Sequence, residues 1–194
     1  MSEVLSTFQL LPGQEAPAFT LPDGNGQSHT LVEMCEGKRV IVIAFVCNHC
    51  PFVIHLAGAM ASFAKDYAAR DVQVIAINSN DVENYPADSP QKMVDFARQY
   101  HWDFPYLYDE SQQVALDYSA ACTPDFYVFD DKRGLAYAGQ FDATRPGKAG
   151  EVSGNDLRQA VDHVLQTGEA LAQPWQPSSG CNIKWKAGNA PGYF

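Results

Sequence analysis

Two short apolar runs, rich in β-branched residues, dominate the hydrophobic pattern of the chain. Residues 40–46 form an unbroken run of Val, Ile, Ala and Phe, and residues 72–77 form a second, nearly continuous one. An apolar run that does not alternate with polar positions is typical of a strand buried on both faces of a sheet. We therefore predict a central strand over 40–46 and the next strand over 72–77. Shorter strands are predicted over 106–108, 126–129 and 135–141.

Between these runs, apolar residues recur every three or four positions, which is the spacing of one helix face. The first such segment begins at Cys50 or Pro51 and continues to Tyr67. Pro51 suits the first helical turn, because an N–H in that turn would have no partner within the helix. Further helices are predicted from Ser89 to about Tyr100, from Ser111 to about Tyr118 and from Ser153 to Gly168.

Strands that alternate with helices predict an α/β fold, with a central sheet flanked by helices. The last two predicted strands are joined by a turn at 130–134, so we expect antiparallel strands on one side and a mixed sheet. The turn-type segment 23–26 (Asp-Gly-Asn-Gly) predicts an N-terminal hairpin. We assign residues 1–172 to this domain. Residues 173–194, rich in Pro and Gly, are predicted to form an irregular C-terminal arm that packs on it.

Composition and charge exclude several classes of function. The 194-residue chain has a formal net charge of −10 and no basic run longer than two residues, so neither nucleic acid nor a membrane surface is an expected partner. No apolar run approaches the roughly 20 residues that a membrane-spanning helix needs. The N-terminus has neither the basic nor the apolar region of a secretory signal, which predicts a cytoplasmic location.

Cysteine is the residue type that points to chemistry. The chain has five cysteines, an odd number, and is long enough to form a sizeable core. This is not the pattern of a secreted disulfide scaffold, so the cysteines are expected to be catalytic, metal-binding or inert. Cys47 and Cys50 flank Asn48 and His49 at the predicted junction of a strand and a helix.

This Cys-x-x-Cys segment is typical of a redox-active dithiol. The first turn of a helix lets cysteines at this spacing form a disulfide, and its unpaired N–H groups and positive dipole favour a thiolate. We expect that thiolate on Cys47, with its pKa below the usual range. His49 is expected to add positive charge and to hydrogen-bond the thiolate, which would make the pair more oxidising.

Other interpretations of the two cysteines are weaker. Cysteine also serves as a small core residue, but the strand–helix junction favours chemistry. Structural zinc normally takes four ligands, and only His49 and His55 lie near the pair. A c-type haem site needs His directly after the second Cys, where this chain has Pro51. We therefore predict no organic cofactor and no metal.

A second segment, Cys122-Thr123-Pro124, precedes a predicted strand. With this segment, the order of elements resembles the thioredoxin superfamily. Residues 12–21 resemble the N-terminal segment of redoxins of the AhpC/TSA type, and the closer similarity is to peroxiredoxin-like thioredoxin family proteins. The segments that carry this similarity are 47–52, 78–81, 85–90, 122–126, 139–142 and 180–185.

The resemblance implies a thioredoxin-like fold with Cys47 as the nucleophile and Cys50 as the resolving cysteine. It also implies a cis peptide bond before Pro124, packed against the dithiol, with the Thr123 backbone docking an extended substrate. The residues to which we assign supporting roles are His49, Asn48, Pro51, Thr123 and Pro124.

The chain departs from both patterns that it resembles. Peroxiredoxins carry a Pro-x-x-x-Thr-x-x-Cys segment whose Thr helps to hold the peroxide. When Cys50 is aligned with that cysteine, Ile43 and Cys47 stand at the Pro and Thr positions. Thioredoxins carry Trp before the motif and Gly-Pro within it, where this chain has Val46 and Asn-His. Neither activity therefore transfers directly.

Cys122 and Cys181 are two further cysteines of interest. Cys122 precedes the Thr-Pro segment that faces the dithiol in the family, and Cys181 lies in an arm that can fold back. One hypothesis is that they form a second redox pair, or that Cys181 relays electrons. The alternative is two unpaired thiols, one buried and one packed under the arm.

We expect a thiol–disulfide oxidoreductase that works through Cys47 and Cys50. One alternative is a thiol peroxidase that forms a sulfenic acid, and another is a thioredoxin-fold module that binds copper or zinc. The expected partners are a disulfide- or peroxide-containing substrate and a thiol reductant, such as a thioredoxin-type or glutathione system. Redoxins often pair, so the resemblance also allows a homodimer.

Overall fold

The computed structural model describes residues 3–148 and 150–193. Its strands, in chain order, are β1 (Glu3–Leu5), β2 (Thr20–Pro22), β3 (Ser28–Thr30), β4 (Val40–Phe45), β5 (Val72–Asn78), β6 (Tyr106–Tyr108), β7 (Cys122–Thr123), β8 (Asp125–Phe129), β9 (Leu135–Gly139) and β10 (Ser179–Asn182). Its helices are α1 (Leu31–Cys35), α2 (Pro51–Tyr67), α3 (Pro90–Tyr100), α4 (Gln113–Asp117) and α5 (Asn155–Thr167).

A five-stranded mixed sheet in the order β6–β5–β4–β8–β9 forms the centre of the molecule. β4 pairs in parallel with β5, and β5 with β6, whereas β8 pairs antiparallel with β4 and with β9. Helix α2 contacts β5, α3 contacts β6, and α5 contacts β4, β8 and β9. All six residues of β4 are buried, as expected for a strand covered on both faces. The predicted α/β fold with a mixed sheet is confirmed.

Packing shifts the ends of some elements from their predicted places. Helix α2 begins at Pro51, as predicted. Helix α5 begins at Asn155 and is preceded by Gly154 in a left-handed conformation, without a side-chain cap. The ring of Phe141 packs where a Cβ of Gly154 would lie, so glycine and not the predicted Ser153 stands at the start of this helix. Among the described helices, none has the length and apolar composition needed to cross a membrane.

The C-terminal arm is less irregular than predicted. Its strand β10 lies between β1 and β7 in a three-stranded antiparallel sheet. The sequence of β10, Ser-Gly-Cys-Asn, has no apolar alternation, and both partner strands are far away along the chain. The strand therefore forms through tertiary pairing and not through a local pattern. The domain boundary between residues 172 and 173 stays a prediction.

Buried polar contacts hold the arm beyond β10. The backbone N–H of Lys184 donates to Oδ1 of Asn80 (2.8 Å), and its carbonyl oxygen accepts from the backbone N–H of Asp81 (2.8 Å) and from Nε2 of Gln112 (2.9 Å). Buried polar groups are costly unless they find such partners. The loops after β5 and β6 and the arm therefore fold as one unit.

Candidate active site

Cys47 and Cys50 lie where the central strand is followed by the longest helix. β4 ends at Phe45 and α2 begins at Pro51, so Cys50 takes the N-cap position with an extended backbone (φ −73°, ψ 122°). Cys47 is 1% exposed and Cys50 is 0% exposed. Both sulfur atoms therefore lie beneath the surface, at the positive end of α2.

The surroundings of Cys50 favour its thiolate form. The neighbouring Cys47 thiol is the largest influence on its pKa, and Cys181 acts in the same direction. Together these groups outweigh desolvation and lower the pKa of Cys50 to about 5. In its thiol form, Cys50 donates to the carbonyl oxygen of Thr123 (3.2 Å).

Cys47 is held in its protonated form. Burial raises the pKa of its thiol well above the usual range, and the hydrogen bond to Cys50 and the negative charge of Asp88 act in the same direction. The hydroxyl of Thr123, 3.5 Å from the sulfur, acts in the opposite direction. The thiolate expected on Cys47 stays a prediction, and the burial of Cys47 acts against it. Cys50 occupies the N-cap position of α2 without a side-chain cap hydrogen bond, whereas Cys47 precedes the helix.

His49 is paired with a buried aspartate. Its Nδ1 lies 2.7 Å from Oδ2 of Asp88, which is fully buried, and this hydrogen bond raises the pKa of His49. The imidazole stacks on Tyr85, with 5.6 Å between ring centroids and 9° between planes. The sequence predicted that His49 would hydrogen-bond a thiolate. Its Nδ1 instead bonds the Asp88 carboxylate, which is a stronger acceptor at close range.

Asp88 organises the segment between the two cysteines, and sequence analysis assigned it no role. Its Oδ1 accepts from the backbone N–H groups of Asn48 (2.8 Å) and His49 (3.3 Å), and its Oδ2 accepts from Nδ2 of Asn80 (2.8 Å). The side chain of Asn48 is held separately, by the hydroxyl of Tyr106 (2.9 Å). The sequence feature that could have indicated Asp88 is its position within residues 85–90, one of the segments that carry the similarity to peroxiredoxin-like proteins.

Three side chains at this site have the donor atoms of metal ligands. One atom each from Cys47, His49 and Asp88 lies within 4.8 Å of the others. The Asp88 carboxylate, however, already accepts hydrogen bonds from two backbone N–H groups, the His49 ring and Asn80. A metal ion would have to replace contacts that shape the segment, so the geometry favours a thiol site.

Thr123 and Pro124 flank the thiol pair and are joined by a cis peptide bond. The Thr123 hydroxyl contacts Cys47, and its carbonyl oxygen contacts Cys50. The backbone of Thr123 also pairs with Cys181 of β10. The strand edge that the resemblance implies for substrate docking is therefore occupied by the chain's own arm.

The structure does not bring Cys122 and Cys181 together. Cys181 lies opposite Thr123 in the ladder between β7 and β10, and Cys122 lies opposite Asn182. Because successive side chains of a strand point to opposite faces, the two thiols are on different faces of this sheet. The Cys122 sulfur lies 3.5 Å from the carbonyl oxygen of Pro124, whereas Cys181 and Cys50 both lie at Thr123, one in the strand ladder and one through a hydrogen bond. This geometry does not support the hypothesis of a Cys122–Cys181 pair.

Known proteins share this sequence and fold. A model of the AhpC/TSA family matches residues 12–138. A Mycobacterium tuberculosis protein named "Putative peroxiredoxin Rv2521" is 30% identical over 114 residues, which are 59% of this chain and 67% of that protein. The crystal structure of a hypothetical protein from Sinorhizobium meliloti 1021 has a TM-score of 0.90 and 45% identity, covering 95% of this chain and 99% of that chain. Peroxidoxin BcpB from Mycobacterium tuberculosis shares the fold alone, with 18% identity, a TM-score of 0.59, and coverage of 82% of this chain and 96% of that chain.

The matched region coincides with the part of the molecule that holds the thiol pair. It spans β2 to β9 and includes Cys47, Cys50 and the Thr123–Pro124 peptide, while β10 lies outside it. The sequence match, the thioredoxin-like sheet and the buried thiols at the start of α2 agree with one another. This chain belongs to the AhpC/TSA family and has a thioredoxin-like fold.

Proposed function

We propose that this chain is a thiol–disulfide oxidoreductase whose redox couple is the pair Cys47 and Cys50. The observation that carries the proposal is the placement of two buried thiols at the start of α2, both in contact with Thr123 beside the cis peptide bond. Their surroundings lower the pKa of Cys50 and raise that of Cys47, so we assign the attacking thiolate to Cys50. The thiolate is the nucleophile in disulfide exchange, and a neighbouring thiol can resolve the mixed disulfide.

The proposed reaction begins when the Cys50 thiolate attacks one sulfur of a substrate disulfide. A bond forms between Cys50 and the substrate, the substrate S–S bond breaks, and the other substrate sulfur leaves as a thiolate. Cys47 then gives up its proton to a leaving thiolate, attacks the Cys50 sulfur and releases the second substrate sulfur. The substrate gains two electrons, and the protein is left with a Cys47–Cys50 disulfide. A thioredoxin-type or glutathione reductant restores the dithiol.

The residues around the pair are proposed to position it. Thr123 contacts both sulfur atoms and holds them beside each other. Asn48 and His49 are fixed through Asp88, and Pro51 begins the helix that carries the positive dipole. Because substrate must reach buried sulfur atoms, the proposal requires β10 to move away from Thr123 during turnover.

A second candidate function is peroxide reduction at the same sulfur atom. The lowered pKa falls on Cys50, the residue that aligns with the peroxide-attacking cysteine of peroxiredoxins. Cys47 stands at the position of the peroxide-holding Thr and has a thiol that can donate a hydrogen bond. Attack of Cys50 on the O–O bond would give a sulfenic acid and water, and Cys47 would then form the disulfide with loss of a second water.

The test is the rate of the first thiolate release from an aromatic disulfide, followed by absorbance under single-turnover conditions. We expect Cys50→Ser to lose this step by about 100-fold or more, because it removes the thiolate, and Cys47→Ser to stay within about tenfold of wild type. Cys122→Ser is the matched control, since Cys122 is equally buried but lies on the other face of β7.

Two outcomes of this test would contradict the proposal. If Cys47→Ser loses the release of the first thiolate and Cys50→Ser retains it, the nucleophile is Cys47 and not Cys50. Unchanged rates in both variants would exclude the pair as the redox couple. The same variants with hydrogen peroxide separate the two candidates, because a peroxidase would oxidise Cys50 faster with peroxide than with the disulfide.

A further inference from the structure

β10 lies on the site as an extended substrate strand would. Its residue Cys181 pairs with Thr123, beside the cis peptide bond and against the sulfur atoms of the pair. At Gly180 the backbone comes so close that a Cβ would collide with the carbonyl oxygen of Thr123. Strand addition of this kind is how sheet edges commonly bind extended peptides. The arm therefore holds the place of a peptide ligand within its own chain.

Cys181 is the residue of this strand that reaches the thiol pair. Its side chain is on the same face as Thr123, whose carbonyl oxygen accepts from the Cys50 thiol, and it is 4% exposed. β10 also contacts helix α2, which begins directly after Cys50, and Cys181 lowers the pKa of Cys50. Cys122, its neighbour across the ladder, provides an internal comparison because its sulfur is on the other face. One cysteine of the arm is thus in contact with the proposed nucleophile.

We propose that Cys181 is a third redox residue of this site, an intramolecular disulfide partner of Cys50. The inference rests on the proposed function, which supplies the oxidised Cys47–Cys50 pair. The Cys181 thiol loses its proton and attacks the Cys50 sulfur, a Cys50–Cys181 bond forms, and the Cys47–Cys50 bond breaks. Cys47 leaves as a thiolate and takes up the proton. The exchange adds and removes no electrons. The protein therefore carries a single disulfide, which is either Cys47–Cys50 or Cys50–Cys181.

This exchange has a structural consequence for the arm. While Cys50 is bonded to Cys181, β10 is covalently held on the Thr123 edge and the nucleophile is blocked. An incoming thiol that attacks this disulfide at Cys181 returns Cys50 to its thiolate form and frees the strand. The arm would act as an internal substrate that carries the oxidation from the Cys47–Cys50 pair to β10, which lies outside the central sheet.

The test uses Cys47→Ser, in which Cys50 has lost its first partner. The folded variant is oxidised with oxidised glutathione, its free thiols are alkylated under denaturing conditions, and the digest is read by mass spectrometry. We expect monomeric protein to yield a peptide in which Cys50 is disulfide-bonded to Cys181. The alkylated fraction of Cys181 should fall at least tenfold relative to the same variant before oxidation. Cys47→Ser/Cys122→Ser should behave in the same way. Cys47→Ser/Cys181→Ser should instead accumulate glutathione on Cys50.

The outcomes separate this inference from the function on which it rests. A stable glutathione adduct on Cys50 with Cys181 fully alkylated in Cys47→Ser would overturn the inference and leave the proposed function intact. No adduct on Cys50 in the folded Cys47→Ser/Cys181→Ser variant would contradict the proposed function itself. If Cys47→Ser does not fold, wild-type protein oxidised to half completion serves instead. It must then yield the Cys50–Cys181 peptide beside the Cys47–Cys50 peptide, and its absence would overturn the inference.

Discussion

Single residues decide which sulfur atom of this site is reactive. Burial is the main influence that raises the pKa of Cys35 to about 11 and of Cys181 to about 12, and it raises the pKa values of Cys47 and Cys122 well above the usual range. Cys50 is fully buried, yet the neighbouring Cys47 thiol is the largest of the influences that lower its pKa to about 5. Among the five cysteines, Cys50 is therefore the one whose surroundings favour a thiolate.

The hydrogen bond from Cys47 can be tested by exchanging its donor. Serine keeps an O–H donor at this position, whereas alanine removes it. We predict that the pKa of Cys50 rises in Cys47→Ala and stays close to about 5 in Cys47→Ser, because the Cys47 hydrogen bond is the largest influence on it. The measurement is the ultraviolet absorbance of the thiolate as a function of pH. Equal pKa values in the two variants would show that the helix N–H groups, and not Cys47, stabilise the thiolate.

Among the elements, β10 controls access to the site. It closes the edge of β7 and buries the thiol pair, and its own position depends on the close approach of Gly180 to Thr123. The polar contacts of Lys184 with the loop after β5 hold the strand from the C-terminal side. Exposure of the pair at this edge would require β10 to separate from β7, together with β1, which pairs with the other edge of β10.

We predict that Gly180→Ala displaces β10 and exposes Cys50. The added Cβ collides with the carbonyl oxygen of Thr123, which should lower the free energy of unfolding by about 1–3 kcal/mol, as expected for overpacking. The alkylation rate of Cys50 in the folded protein should rise, measured by mass spectrometry over time. Gly192→Ala is the control, because open space surrounds that glycine in the same arm. Similar rates in the two variants would contradict a gating role for β10.

At the scale of the whole molecule, Asp125 joins the central sheet to the N-terminal segment and, through Ser6, to the C-terminal one. It is fully buried in β8 and accepts hydrogen bonds from the hydroxyls of Ser6 (2.7 Å) and Tyr127 (3.1 Å). The Ser6 hydroxyl oxygen in turn accepts from the backbone N–H of Ser178 (2.9 Å). Burial is the largest influence on this carboxyl group, and it raises the pKa of Asp125 to about 6 even though the hydrogen bonds act in the other direction. The stability of the fold is therefore linked to the protonation of one carboxyl group.

The sign of this linkage gives a prediction for the whole fold. A raised pKa means that the folded state binds the proton more tightly than the unfolded chain, so stability should fall as the pH rises from 3.8 to about 6. The shift corresponds to about 3 kcal/mol. Urea unfolding across this range should show the decline in wild type and a smaller one in Asp125→Asn. The exposed Asp103→Asn serves as control. Identical pH profiles of wild type and Asp125→Asn would contradict the prediction.

Much of the fold follows from local sequence. The apolar run of β4, the start of α2 at Pro51 and the turn between β2 and β3 were predicted where the structure has them. The sequence also placed two cysteines at the junction of β4 and α2. Each of these features depends on residues that are close together along the chain. The signals are the spacing of apolar residues, a proline in the first helical turn and glycines in a turn, so the sequence alone determined these features.

The chemistry of the site was decided by contacts between distant segments. Asp88 is the hydrogen-bond partner of His49 Nδ1, and β10 brings Cys181 beside the thiol pair although the strand has no apolar alternation. The pKa of a buried thiol depends on which donors and charges surround it, and those groups come from loops that only the folded sheet brings together. The sequence by itself therefore determined the strand–helix junction and its two thiols. Only the tertiary structure decided which donors and charges surround each thiol and which third cysteine lies beside the pair.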